Sequence, residues 1–171
     1  MTTTEDTGMG ASELSALLWQ ERELLDLLEY RLEVQRALLS TGAPRWVQRS
    51  ADEIEAVTVE LRRVGLIRDV EVHALAEDWG VADPVPSLRS LIEAAPADGP
   101  WPEIFGSHLR AMLASVERIG ARREANGQML REAMRHTQES LAGTGDGAGT
   151  YTARGMTDTA ARTALLFEDD A

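Results

Sequence analysis

The chain of 171 residues contains no cysteine and no lysine, and aromatic side chains make up only 5% of it. Without cysteine there is neither a disulfide framework nor a thiolate metal site, which fits a reducing cytoplasm. Positive charge is also scarce. All 17 basic residues are arginine, against 29 acidic ones, for a formal net charge of −12. Such a surface repels polyanions and releases few counterions, which argues against a nucleic-acid partner and against anionic lipid. Long apolar runs are missing too: a membrane span needs roughly 20 continuous apolar residues, and none occurs. The first ten residues are polar and slightly acidic, unlike a secretory signal. A cytoplasmic protein with no membrane insertion is the expectation. The hydrophobic content of 43% is enough for one domain with a sizeable core.

Signs of catalysis are equally sparse. His73, His108 and His136 are scattered, with no i,i+4 partner among them to form a helical metal pair, and each reads as a surface or edge histidine. No repeated Glu-x-x-His pattern is present. The glycine-rich stretch Gly143-Thr144-Gly145-Asp146-Gly147-Ala148-Gly149 holds no lysine and does not join a strand to a helix, so it lacks the setting of a phosphate-binding loop. The glutamates are spread along helix faces, where they meet arginines or water. The expectation is a protein that is not an enzyme and has no cofactor and no metal.

What the chain does have is helical periodicity. Over residues 12–40 the seam Leu14, Leu18, Glu21, Leu25, Leu28, Leu32, Gln35, Leu39 is widened by Leu17, Leu24 and Leu38 and closed by Gly42 and Pro44. A second helix over residues 45–79 carries Val47, Ile54, Val57, Leu61, Val64, Ile67, Val70 and Leu75. Ser50-Ala51-Asp52-Glu53 is a capping-box pattern that could restart it. Gly80, Pro84 and Pro86 end it, and a short third helix starts with Ser87 as N-cap, anchored by Leu88, Leu91 and Ile92, and stops before Pro96. The last helix, residues 102–141, has the seam Phe105, Leu109, Met112, Val116, Ile119, Arg123, Asn126, Leu130, Ala133, Thr137. Beside it lies a row of Gly106, Leu113, Gly120, Gly127, Met134 and Leu141. Three glycines in a helix cost about 1 kcal/mol each relative to alanine, and their shared heptad position reads as a shallow groove for another helix.

No segment reads as a strand, so the fold class is all-α: an elongated antiparallel helical bundle of three long helices plus one short helix, with a flexible C-terminal tail. The domain expectation is a disordered N-terminus over 1–11, a helical bundle over 12–142 and a flexible tail over 143–171. Glu21, Gln35, Arg123 and Asn126 interrupt apolar seams. Either they set helix register and reach solvent at a bundle end, or they line a site opened to a partner helix. Met112, Met129 and Met134 divide in the same way between core filling and adaptable contact. In the tail, Tyr151 and Leu165-Leu166-Phe167 are apolar anchors in a segment too polar to fold alone, a pattern found in docking elements that order on binding.

With these residues in view, the chain resembles the FlgN family of flagellar type III export chaperones. The likeness rests on Leu17-Leu18, Glu21, Leu24-Leu25, Leu28, Leu32, Gln35 and Leu38 in the first helix. It rests also on Asn126-Gly127-Gln128-Met129-Leu130 in the last, where the family tends to show Asn-x-x-Asn-x-x-Leu-Leu and this chain has Arg123 for the earlier asparagine. In the tail, Tyr151-Thr152-Ala153-Arg154-Gly155 is similar to the family's Tyr-x-x-basic-Gly signature. The resemblance implies a non-enzymatic cytoplasmic chaperone that holds hook–filament junction proteins through their C-terminal helical segments, prevents premature assembly and delivers them to the flagellar export gate. By position it implies a client surface at Asn126, Met129, Leu130, Met134 and Leu141, and gate docking at Tyr151, Arg154 and Gly155. The alternative is a structural coiled-coil or self-assembling adaptor that uses the same seams; a weak homo-oligomer is compatible with either.

Overall fold

The computed structural model describes residues 3–145, and Tyr151, Arg154, Gly155 and Leu165-Leu166-Phe167 lie outside them. Four helices make up the described chain: α1 (Thr3–Ser40), α2 (Pro44–Asp78), α3 (Leu88–Ala94) and α4 (Trp101–Gly145). This is the expected all-α class, three long helices and one short, with no strand among the described residues. The chain divides into two compact units, Met1–Gly127 and Gln128–Ala171. The first holds α1 to α3 and α4 through Gly127; the second holds the rest of α4.

Helix ends are set by local chemistry. After α1, Gly42 takes φ +63°, the Gly42 N–H donates to the Leu39 carbonyl (3.3 Å) and the Ala43 N–H to that of Leu38 (3.1 Å). This is a Schellman stop, in which a left-handed glycine lets the next two amides satisfy orphan carbonyls. The same device ends α2, where Gly80 has φ +69° and the amides of Gly80 and Val81 bond the carbonyls of Glu77 (3.2 Å) and Ala76 (2.9 Å). Ser87 caps α3 reciprocally: the Ser90 N–H donates to Ser87 Oγ (3.1 Å) and the Ser87 N–H to Ser90 Oγ (2.8 Å). Helix α2 does not restart at Ser50. It is continuous from Pro44, and the buried Ser50 hydroxyl donates to the Val47 carbonyl at 2.7 Å.

In the first unit, α1 and α2 are antiparallel: Glu21 meets Arg68, Arg31 meets Glu53 and Gln35 meets Ser50. Helices α1 and α4 run parallel, with Trp19 against His108, Glu29 against Arg118 and Gln35 against Asn126. The three long helices therefore run up, down and up. One apolar cluster joins Ala11, Leu14, Leu18, Val72, Leu75, Ala76, Leu91 and Phe105, flanked by Trp79, Val81 and Trp101. Trp101 stacks on Phe105 with ring centroids 5.5 Å apart. A second cluster joins Leu25, Leu28, Leu32, Val57 and Ile119.

Helix α1 begins at Thr3, earlier than the helix expected over 12–40, and Ala11 is fully buried beside Leu14. Helix α4 reaches Gly145, past the expected end at residue 141. One expectation is corrected. In α2 the inward face is Val57, Val64, Val72, Leu75 and Ala76, while Ile67 and Val70 of the expected seam are exposed.

Candidate functional site

The expected seam of α4 is half right. Phe105, Ile119 and Asn126 are buried and Met112 is half-buried, but the alternate positions facing inward are His108, Ser115 and Arg122. Val116 and Arg123 are exposed and Leu109 is half-buried. The helix is turned by one residue at every second step because polar partners on α1 hold it there. Arg118 Nε donates to both carboxylate oxygens of Glu29 (3.1 and 3.0 Å), and its Nη2 donates to Ser115 Oγ (3.0 Å). Arg122 donates to Glu29 Oε1 (3.2 Å) and also pairs with Glu33. At the other end of the contact, the His108 ring stands edge-on to Trp19, centroids 5.1 Å apart, and the Arg22 guanidinium lies 4.4 Å from the Trp19 ring centre.

His108 is thus not the surface histidine expected. Burial, then the nearby Arg22 charge, push its pKa below the ordinary value of 6.5, and its buried Nδ1 has no hydrogen-bond partner. A neutral imidazole follows at neutral pH. His73 and His136 are exposed. His73 Nδ1 lies 2.9 Å from the Asp69 carbonyl, and His136 lies 3.8 Å from Glu139. Among the described residues no cluster of histidine and carboxylate groups could hold a metal ion, and no helix is long and apolar enough to cross a membrane.

The polar residues that interrupt the apolar seams tie helix to helix. Arg68 Nη1 on α2 donates to both oxygens of Glu21 on α1, at 2.9 and 3.0 Å. Burial pushes the Glu21 carboxyl above its ordinary pKa, and Arg68 opposes that shift without cancelling it. Gly65 lies beside the pair, where a Cβ would be 3.4 Å from Glu21 Oε1, at the edge of ordinary contact. Asn126 on α4 donates through Nδ2 to the Leu32 carbonyl (2.8 Å) and to Gln35 Oε1 (3.1 Å). Gln35 in turn makes a long contact of 3.5 Å to Ser50 Oγ on α2. One polar layer therefore spans all three long helices, and of the four seam residues in question only Arg123 faces solvent.

This layer sorts the candidate client residues. Asn126 is 2% exposed, its Nδ2 is committed to α1, and its Oδ1 is buried without a hydrogen-bond partner. Met129 and Leu130 are half-buried. Met134 and Leu141 are 63% and 69% exposed, and every residue over 131–142 is exposed. Leu130, Met134, Thr137 and Leu141 follow steps of four, three and four along one side of the helix. Thr137 Oγ1 donates to the Ala133 carbonyl at 2.9 Å. At two glycines of the row no neighbouring helix is held: a Cβ at Gly120 would meet nothing within 4 Å, and one at Gly106 would meet only the Arg110 side chain, at 3.4 Å.

A family model described as FlgN protein matches residues 9–159 of this chain. The chain belongs to the FlgN family. The match takes in α1 from residue 9 and all of α2 to α4, and runs on through the Tyr151-Thr152-Ala153-Arg154-Gly155 segment, which agrees with the resemblance read from the residues. The FlgN family is a family of flagellar export chaperones. No curated protein and no solved structure matches the chain.

Two further features were not visible in the seam analysis. A cavity of about 310 Å³ opens between α1 and α2, lined by Val34, Leu38, Trp46, Arg49, Ser50 and Glu53. In addition, Val59, Leu66 and Val70 form an exposed apolar line on α2. Of that line the sequence reading had Val70, which it placed in the inward seam, because α2 is apolar on two faces.

Proposed function

We propose that this FlgN-family protein works in the cytoplasm as an escort for hook–filament junction proteins, and that the junction protein's C-terminal helical segment lies along the Leu130, Met134 and Leu141 side of α4, with Met129 at its edge. The supporting observation is the exposure of Met134 and Leu141 on a stretch of helix that is solvated on every side. Burying a leucine or methionine side chain fully contributes about 1.5–3 kcal/mol. Two such anchors and a half-covered third give roughly 4–7 kcal/mol before ordering a client segment takes back about 2–5 kcal/mol. The remainder is at most about 5 kcal/mol, which corresponds to binding no tighter than a few tenths of a millimolar, weak and reversible as release at an export gate requires. Tyr151, with Arg154 and Gly155, is assigned to docking at that gate. Asn126 is withdrawn from the client surface and acts instead by holding α4 to α1.

The test uses the full chain and a C-terminal segment of a junction protein. Met134→Asp with Leu141→Asp should abolish pull-down while circular dichroism stays unchanged, since both side chains are exposed. Retained binding in that double variant would refute the assignment. Tyr151→Ala should leave pull-down intact and impair export, and loss of client binding in that variant would show that the two surfaces are not separate.

A further inference from the structure

The outward face of α2 repeats at coiled-coil spacing. Ala56, Val59, Arg63, Leu66, Val70 and His73 follow one another at steps of three, four, three, four and three, and all six are exposed. Leu66 and Val70 are 69% and 66% exposed, and Ile67 lies beside them. This face points away from the Val57, Val64 and Val72 side that packs in the bundle, and no described element covers it. Such a seam on a helix whose opposite side is already buried is an interface in waiting.

The charges flanking the seam say what fits it. Arg62 lies on one border before Leu66, and Asp69 lies on the same border after it. If a second copy of α2 is laid antiparallel so that Val59 meets the partner's Val70, then Ala56 meets the partner's His73 and Arg63 meets the partner's Leu66. The same two-fold operation places Arg62 across from the partner's Asp69, and Asp69 across from the partner's Arg62. Every layer of the seam is matched by one register, and both border charges find their opposite in it. A parallel arrangement sets Arg62 beside Ile67 instead and leaves the charges unmatched. Existing intrachain pairs do not prevent this. Arg62 lies 3.7 Å from Glu55 with both side chains largely exposed, Arg63 is held by Glu60, and Asp69 accepts from Arg68 while remaining 59% exposed. Arg63 keeps its guanidinium on Glu60 while its methylene stem covers the partner's leucine.

We infer that α2 mediates a reversible two-fold antiparallel dimer of this chain through Val59, Leu66 and Val70, with Arg62 and Asp69 setting the register. The seam is short, about 27 Å at about 1.5 Å per residue, and buries less than the roughly 1,600 Å² of a standard stable interface. Association is therefore concentration-dependent.

Light scattering and sedimentation of the full chain should show the mass rising from 18.7 kDa toward twice that value with concentration. Leu66→Asp should remain at the monomer mass with unchanged helix content, and Val70→Asp should do the same. Arg62→Asp and Asp69→Arg should each be monomeric alone, because each places like charges together twice, while an equimolar mixture of the two should recover the dimer. A chain that stays monomeric at all concentrations overturns the inference. So does a dimer that survives Leu66→Asp, or a mixture that fails to reassociate. If Leu66→Asp instead weakens junction-segment pull-down in a monomeric chain, the face belongs to the client and the dimer is refuted. The client surface proposed on α4 is tested separately and does not depend on this result.

Discussion

Removing Arg68 is the sharpest way to test how the bundle is held. Glu21 sits on α1 with its side chain 5% exposed, and Arg68 meets both of its oxygens while itself remaining 26% exposed. In Arg68→Ala the carboxylate stays buried and loses its bidentate partner. Breaking a buried pair from one side costs about 3–5 kcal/mol. Because a quarter of the Arg68 side chain reaches water, solvent can enter once it is gone, so the expected loss is about 2–4 kcal/mol. The pH dependence adds a second handle. Glu21 has a folded pKa above its ordinary value of 4.5, so the native state holds a proton more readily than the unfolded one. Its contribution to stability is full below the unfolded pKa and is lost as pH rises through the folded value. Without Arg68, the main influence holding that folded value down is gone, so the window extends further upward. Urea unfolding of both proteins should show a gap that is large near pH 7 and narrows as pH falls through the raised folded pKa of Glu21, where the carboxylate takes up a proton. The double substitution Glu21→Leu with Arg68→Met should recover most of the loss at every pH. A gap that does not change with pH, or an Arg68→Ala protein as stable as the wild type, would refute the account of Glu21 as a buried charge that depends on its partner.

Other substitutions probe different parts of the chain. Gly120→Ala should raise stability by about 1 kcal/mol, seen as a higher thermal midpoint, because the helix gains propensity and the added Cβ meets nothing within 4 Å; weakened client binding in that variant would show that a partner helix uses the glycine as a groove. His108 has a folded pKa below its ordinary 6.5, so the unfolded state takes up protons first on acidification. The stability tied to the neutral ring is full above that ordinary value and falls as pH drops through the folded one. His108→Leu should lose this acid-side decline in urea unfolding as pH falls below the ordinary histidine value; an unaltered decline would mean that His108 is not its source.

Much of the architecture follows from residue order alone. Leucines at steps of three and four define α1. Gly42 and Gly80 stop their helices through backbone conformations that other residues rarely adopt, and Ser87 starts α3 by capping it. The absence of cysteine, the acidic surface and the scattered histidines turned the reading away from catalysis, and the order of the Leu-rich helix, Asn126-Gly127-Gln128-Met129-Leu130 and the Tyr151 segment pointed to the family. The exposure of Met134 was foreseen only as one of two alternatives.

Tertiary structure decided which stripe faces inward. In α4 the rows Leu109, Val116 and Arg123, and His108, Ser115 and Arg122, differ by one residue, and hydropathy favours the first. The ion pairs of Arg118 and Arg122 with Glu29 and Glu33, and the contact of His108 with Trp19, favour the second, and those partners lie roughly ninety positions away in the chain. In α2 both faces are apolar, and only the match to α1, with Arg68 reaching Glu21, decides that Val64 is buried and Leu66 is not. Likewise, Asn126 in an apolar seam reads equally well as a binding group or as a tie between helices until Leu32 and Gln35 are beside it. Periodicity determines how side chains are spaced around a helix, but the rotation of that helix about its own axis depends on interactions with neighbours that residue order does not display.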